Sequence, residues 1–440
     1  MTFFIIFLCI ALLIVLITWC KLNTFLSFLL VSVAAGLLLG IPLNKVTASV
    51  QQGIGDTLSS LTIIIVFGAM LGKLVAESGA ANKIASTLMR IFGPKYIQWA
   101  LVATGFIIGI PLFYGIGFVL MVPLIFSVVY KYKLPAVYIG LPMLAALSVT
   151  HGFLPPHPSP TALVNQFHAN MGITLLYGLI VAIPAIIIAG PVFSTTLKNI
   201  VSEPSSLFRQ EEEDAKKKLP GTSNSFFTAL LPVFLLIITT VANYFLKDDH
   251  SSLKHFIAFI GDAPIVMILS ILTATFTLGL WQGRSMQNVM NIYGDAVKDI
   301  AMILLIIAGA GALKQVMADS GVSAQLAEGL QTLHINPLVL GWLIAAVIRG
   351  CVGSATIAGL TTAGIIMPLM IATHTNPNLM VLAVGSGSLM LSHVNDAGFW
   401  LFKEYFNLSI KDTIRSWSVM ETIVGVVGLI GVMLLNIIIG

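Results

Sequence analysis

Apolar runs of about twenty residues recur along nearly the whole chain, which is the length an α-helix needs to cross a hydrocarbon core of about 30 Å. The first run, FFIIFLCIALLIVLITW, begins at Phe3, and the last, IVGVVGLIGVMLLNIII, ends at Ile439. Ten-residue segments of alternating polarity, the mark of a membrane barrel, are missing. The pattern predicts an all-α polytopic membrane protein of roughly 10–12 transmembrane spans plus two re-entrant hairpins. The first run has no basic residue before it and no small-residue cleavage site after it, so it reads as a retained span and not as a signal peptide.

Polar residues interrupt this pattern in few places. The longest hydrophilic stretch, KNIVSEPSSLFRQEEEDAKKKLPGTSNS at 198–225, reads as a solvated cytoplasmic linker. Its EEEDAKKK block suits a short salt-bridged helix. On either side of the linker the sequence repeats weakly. AESGAANKIA at 76–85 resembles ADSGVSAQLA at 318–327, so that Glu77 maps onto Asp319 with an offset of 242. The same offset carries His151 in LSVTHGF onto His393 in LMLSHVN. Each half also holds a Gly-rich run between these anchors, GFIIGIPLFYGIGFVLMVP and RGCVGSATIAGLTTAGIIMP. Such internal similarity points to a duplicated fold.

Basic residues concentrate in cytoplasmic loops. Lys21, Lys83, Arg90, Lys95, Lys131, Lys133 and the linker's Lys216, Lys217 and Lys218 are best placed inside, with the N-terminus outside. Segment 58–76 then runs inward. Its counterpart 299–318 runs outward, because Arg284 and Lys298 precede it on the inside. The halves read as inverted repeats, an arrangement of secondary transporters whose sites lie where broken helices meet. The organisation expected is N-terminal spans at 1–52 and a first repeat at 53–197, with a hairpin near 97–130 and a break at 150–162. The linker at 198–225 and connecting spans at 226–293 follow. A second repeat occupies 294–440, with a hairpin near 336–372 and a break near 392–398.

Composition agrees: 57% of the 440 residues are hydrophobic and 9% charged, against roughly 25% charged in soluble domains. Cys9, Cys20 and Cys351 lie in or beside apolar runs and suggest no disulfide framework. Neither a Walker A motif nor HExxH occurs, so neither ATP-driven work nor intramembrane zinc proteolysis is expected of this chain. His151 and His157 have no Cys, Asp or Glu nearby to complete a metal site, and no metal, cofactor or nucleic acid is expected.

Three segments could carry chemistry. THGFLPPHPSPTA, 150–162, holds four prolines that oppose a regular helix. Irregular backbone at membrane depth is tolerated only in protein or beside a wet cavity; by pattern alone a surface loop fits equally well. SHVNDAGFW supplies Ser392, His393, Asn395 and Asp396. A carboxylate in the membrane interior is functional by default, although Asp396 also suits the cap of a helix starting near Phe399. Arg349 follows an apolar run and precedes Ser354, Thr356, Thr361 and Thr362 among glycines. A hairpin tip at 353–356 would offer hydroxyls and backbone N–H groups to a small anion, whereas a snorkelling arginine beside a small-residue packing face is the plainer reading.

HGFLPPHPSPTA, RGCVGSATIAGLTTAG, SHVNDAGFWLFKEYFNLSIKDTIRSWSVMET, QGIGDTLSSL and GAMLGKLVAESGAA together resemble the gluconate permease family of bacterial inner-membrane symporters, from about Gly53 to the C-terminus. The resemblance implies proton-coupled uptake of a gluconate-like small hydroxy-carboxylate by a multi-pass inner-membrane protein. It also implies an ion-transporter fold of inverted repeats, often moving as an elevator and often dimeric. His151, His157, Arg349, Ser354, Thr356, His393, Asn395 and Asp396 sit in the matching motifs; of these, His151, His157, Arg349, Ser354, Thr356 and Asn395, together with Thr150 and Thr361 read from the residues, are expected to bind substrate, and Asp396 with His393 to carry the proton. Two positions depart from the family pattern. Gly115 stands where the family has an acid, in FYGIGF, and Ser159 stands where glycine is usual. The first departure leaves open a relative's substrate, such as D-serine, glycerate or fructuronate, with altered coupling. An intramembrane enzyme using the three histidines, and a channel, are the rival classes.

Overall fold

A computed structural model describes residues 2–112, 114–200, 202, 219–246, 251–321, 335–394 and 396–439. Among them every regular element is helical. The first half comprises α1 (Thr2–Thr18), α2 (Thr24–Leu38), the long α3 (Leu43–Glu77), α4 (Ala80–Phe92), α5 (Ile97–Gly109), α6 (Tyr114–Tyr132), α7 (Ala136–Phe153), α8 (Pro158–Gln166) and α9 (Met171–Leu197). Most of the expected linker, 203–218, lies outside the described residues, and α10 (Thr222–Phe245) begins within its last residues; α11 (Ser252–Ile260) and α12 (Ala263–Gln282) follow. The long α13 (Met286–Asp319) then leads to α14 (Pro337–Val352), α15 (Ala355–Ala372), α16 (Pro377–Gly387), α17 (Ala397–Tyr405) and α18 (Ile410–Ile439). Among the described residues, eight helices are long and apolar enough to cross a membrane. Other apolar helices, α2 and α14 among them, have 10–17 residues.

α3 and α13 pack antiparallel along their length. Gly53 lies against the backbone of Gly311, while nearer their other ends Lys73 pairs with Asp299 at 2.7 Å and Arg284 donates to the Glu77 carbonyl at 2.5 Å. A side chain at Gly53 or Gly311 would collide with the facing backbone, so this crossing depends on small residues, as helix packing in lipid commonly does.

α14 and α15 lie side by side across the two-residue turn Gly353–Ser354. Gly353 closes α14 at φ 79°, a left-handed conformation that glycine adopts without penalty. Ser354 then caps α15 by accepting from the Ile357 N–H. In the first half, α4 and α5 meet at a 111° bend around Gly93, and residues 110–113 separate α5 from α6.

The proline-rich stretch is more helical than its composition predicts. α7 continues to Phe153, and the break is confined to Leu154–His157. Pro158 and Pro160 fall in the first turn of α8, where an imino nitrogen forfeits no helical hydrogen bond. α7 and α16 are almost wholly buried at the centre of the molecule. They touch at Gly152, which packs against Leu389 and Gly385, so the break after α7 adjoins segment 388–396. Leu30, Ile238 and Leu434 turn outward, and Trp19, Tyr244 and Trp281 stand exposed at helix ends, as expected of a lipid-facing surface with an interfacial aromatic belt.

Candidate functional site

The α14–α15 turn projects into a cavity of about 380 Å³ shared with α6, α7 and α18. Ligand pockets commonly occupy ~300–1,000 Å³. Three charged side chains line it, Arg349, Asp396 and Glu421, together with Ser148, His151, Tyr114, Ser354 and Thr356.

Arg349, 4% exposed, lies in the last turn of α14. One terminal nitrogen donates to the carbonyl of Gly353, tying the guanidinium to the hairpin tip, and Nη2 meets Asp396 Oδ2 at 2.5 Å. Its Nε is buried with no partner. Asp396 is held from every side: Ser392 Oγ donates to Oδ2, and the Gly398 N–H donates to Oδ1 at 3.1 Å, so the carboxylate also caps α17. Ser392 is itself fixed by Trp417 Nε1 at 2.7 Å. Asp396 thus both caps a helix and faces the cavity, and a buried charge of this kind is tolerable only because it is paired and hydrogen-bonded.

Glu421 went unnoticed in the sequence. It is 2% exposed, more than a third of the way along α18, and its carboxylate accepts one hydrogen bond, from Ser148 Oγ at 2.8 Å. No cation pairs with it among the described residues. A lone acid inside the apolar run SVMETIVGVVGL was the available signal. Beside it, the Tyr114 hydroxyl and His151 Nδ1 are buried without partners; the two rings lie 5.5 Å apart, and Tyr114 also faces Trp417 at 6.3 Å. Buried polar groups are nearly always bonded, so unpartnered ones around a cavity mark where a polar solute fits. Among the described residues no cluster of three or more His, Cys, Asp or Glu could hold a metal.

A sequence profile described as GntP family permease matches residues 1–438. The chain belongs to this family. The permease is 49% identical over 420 residues to the high-affinity gluconate transporter of Escherichia coli K12, covering 95% of both chains. It is 45% identical to the Gnt-II system L-idonate transporter of the same organism, covering 97% of both. It is 44% identical to the gluconate permease of Bacillus subtilis 168, covering 95% of this chain and 96% of that one. Its fold resembles the YdaH transporter of Alcanivorax borkumensis, with TM-score 0.63 at 15% identity over 93% of this chain and 96% of the other. It also resembles MtrF of Neisseria gonorrhoeae, with TM-score 0.62 at 16% identity over 90% and 84%. The permease is a transporter and not an enzyme, and it is a multi-pass protein of the bacterial inner membrane.

Of the residues singled out from sequence, His151, Arg349, Ser354, Thr356 and Asp396 line the permease's central cavity. Four others stand behind it. Thr150 is fully buried, and its hydroxyl donates to the Leu147 carbonyl at 2.8 Å. His157 bonds through Nε2 to the Gly109 carbonyl, and its ring lies 5.3 Å from that of His151. His393 Nε2 meets the Gly350 carbonyl at 2.9 Å, bracing the last turn of α14. Thr361 is buried further along α15. Asn395 lies outside the described residues.

Proposed function

We propose that this permease is a secondary active transporter taking up gluconate, or a closely related sugar acid, together with protons. The observation that carries the reading is the pairing of a tethered guanidinium with a cation-free buried carboxylate in one cavity at a hairpin tip. A sugar acid needs a cationic donor for its carboxylate and bonding groups for a row of hydroxyls. Arg349 supplies the first, and Ser354, Thr356, Tyr114 and His151 surround the space for the second. Asn395 is assigned to the same hydroxyls on sequence grounds. The names of the relatives support the same substrate class.

The proton role is assigned to Glu421. Asp396 is committed to Arg349, to Ser392 and to the start of α17, and serves best as a fixed counter-ion that shares the guanidinium with the substrate. Glu421 has one hydroxyl donor and no fixed cation, so a proton arriving with an anionic solute has a place to reside. His157, His393 and Thr150 act as braces of the cavity wall.

Alternating access would follow from inverted repeats moving against a fixed scaffold, the long α3–α13 pair being the scaffold candidate and a homodimer its reinforcement. The antiparallel run of α3 against α13, and the meeting of the two polar segments at Gly152 and Leu389, favour this arrangement. Gly115 opens toward free space beside Tyr114. It favours keeping D-serine, glycerate and fructuronate in the substrate screen, since a family acid is missing there.

The test is uptake by proteoliposomes holding the purified chain under an inward proton gradient. Labelled gluconate should accumulate above the external concentration, and collapse of the gradient should abolish the excess. Absence of gradient-driven accumulation for every sugar acid, D-serine and glycerate would sink the symporter reading.

A further inference from the structure

A second cavity, of about 490 Å³, lies beside the C-terminal half of α15, bounded by α3, α13 and the end of α8. Along α15, Thr356 in the first cavity and Gly364 in the second are separated by about 12 Å at 1.5 Å per residue. Gln166 ends α8 there. It is 2% exposed, and neither its amide nitrogen nor its amide oxygen has a partner. Lys314 lines the same cavity, donates only to the backbone carbonyl of Gln166 at 3.2 Å, and makes no ion pair among the described residues, Asp56 across the cavity included. A half-buried ammonium with spare donors beside an unsatisfied amide is a site for a hydroxylated anion.

Between Thr356 and Gly364, the α15 positions that line the two cavities, α15 packs against α8. Where α8 packs on α15, Gly359 leaves space beside the Ser159 hydroxyl. The hydroxyls of Ser159 and Thr161 on α8, and of Thr361 and Thr362 on α15, are all buried without partners. Buried hydroxyls without partners are uncommon, and these four cluster where α8 meets α15 close to the second cavity's Gln166 and Gly364.

We infer that the second cavity is a second binding station for the transported sugar acid, with Lys314 holding its carboxylate and Gln166 bonding its hydroxyls. This rests on the sugar-acid reading above. Equilibrium binding of labelled gluconate to the purified chain in nanodiscs tests it, with Lys314→Met keeping the aliphatic stem and Gln166→Leu keeping the volume. Wild type should bind two gluconates per chain. Each variant should bind one with the affinity of the surviving site unchanged, and uptake should show KM raised about tenfold for Lys314→Met, as loss of a charged hydrogen bond predicts, and about threefold for Gln166→Leu, which loses neutral ones. Lys314→Arg should restore the second site. Uptake by wild type with a single site, and with KM unmoved in both variants, would overturn the second station and leave the transporter reading standing. Neither binding nor uptake of any sugar acid would overturn both.

Discussion

At the scale of single residues, the cavity holds two carboxylates in opposite circumstances. Asp396 is bonded to a guanidinium, a hydroxyl and a helix N-terminus, whereas Glu421 has one hydroxyl. Different outcomes follow from removing each charge. Glu421→Gln preserves shape and the Ser148 contact, so it should abolish gradient-driven accumulation while leaving gluconate counterflow across the membrane. Full accumulation by this variant, measured in the same vesicles, would remove Glu421 from coupling. Asp396→Asn leaves Arg349 buried with its charge uncompensated, a change that typically costs about 3–5 kcal/mol. It should lower the unfolding temperature in detergent, and saturating gluconate should restore more stability to it than to wild type, because the ligand's carboxylate replaces the missing one. An unchanged melting profile would show that the ion pair contributes nothing to holding the hairpin.

At the scale of elements, the same sequence signals that marked polar breaks also fixed where helices begin. Prolines ended α7 and opened α8, and Asp396 opened α17. What could not be read was which breaks face each other. The Arg349–Asp396 pair joins residues 47 positions apart, and it exists only because Gly353 turns the chain back at the hairpin tip. The contact between α8 and α15 is a product of packing, so the sequence marked Ser159, Thr361 and Thr362 singly but not that they meet. Glu421 was legible in principle as a lone acid, but it sits just after the polar stretch IKDTIRSWS, which blurs it into that stretch's polarity. Position 115 offers an element-scale test. Gly115 is at the start of α6, and a side chain there would meet nothing within 4 Å. Gly115→Asp should therefore fold at least as stably, gaining about 0.3–1 kcal/mol from the helix N-terminus and helix propensity besides. Placing an acid beside Tyr114 should shift the pH dependence of uptake or the ranking among gluconate, D-serine and glycerate. Identical profiles for variant and wild type would make the glycine incidental to selectivity.

At the scale of the whole molecule, the charge pattern gives the cavities a sidedness. The central cavity reaches Ile17 and Thr24, which flank the turn carrying Lys21. On the positive-inside rule that turn is expected in the cytoplasm. The second cavity lies near Gly53, Gln315 and Ala318, at the far end of the α3–α13 pair from the basic cluster around Arg284, Lys83 and Arg90. The arrangement is thus expected to be inward-open, with the second cavity facing outward. A variant with Cys9, Cys20 and Cys351 replaced by serine and Thr356→Cys added should react with a membrane-impermeant maleimide in inside-out vesicles and not in right-side-out ones. Ala318→Cys, on an exposed turn of α13, should show the reverse. Gluconate should protect position 356, and gluconate with an inward proton gradient should raise its reactivity from the outside, because a carrier must expose its central cavity to each side in turn. Equal reactivity of position 356 from both sides without substrate is the behaviour of an open pore, since a continuous aqueous path admits the reagent from either face at once. That result would return the channel reading to first place, whatever the chemistry of the cavity allows.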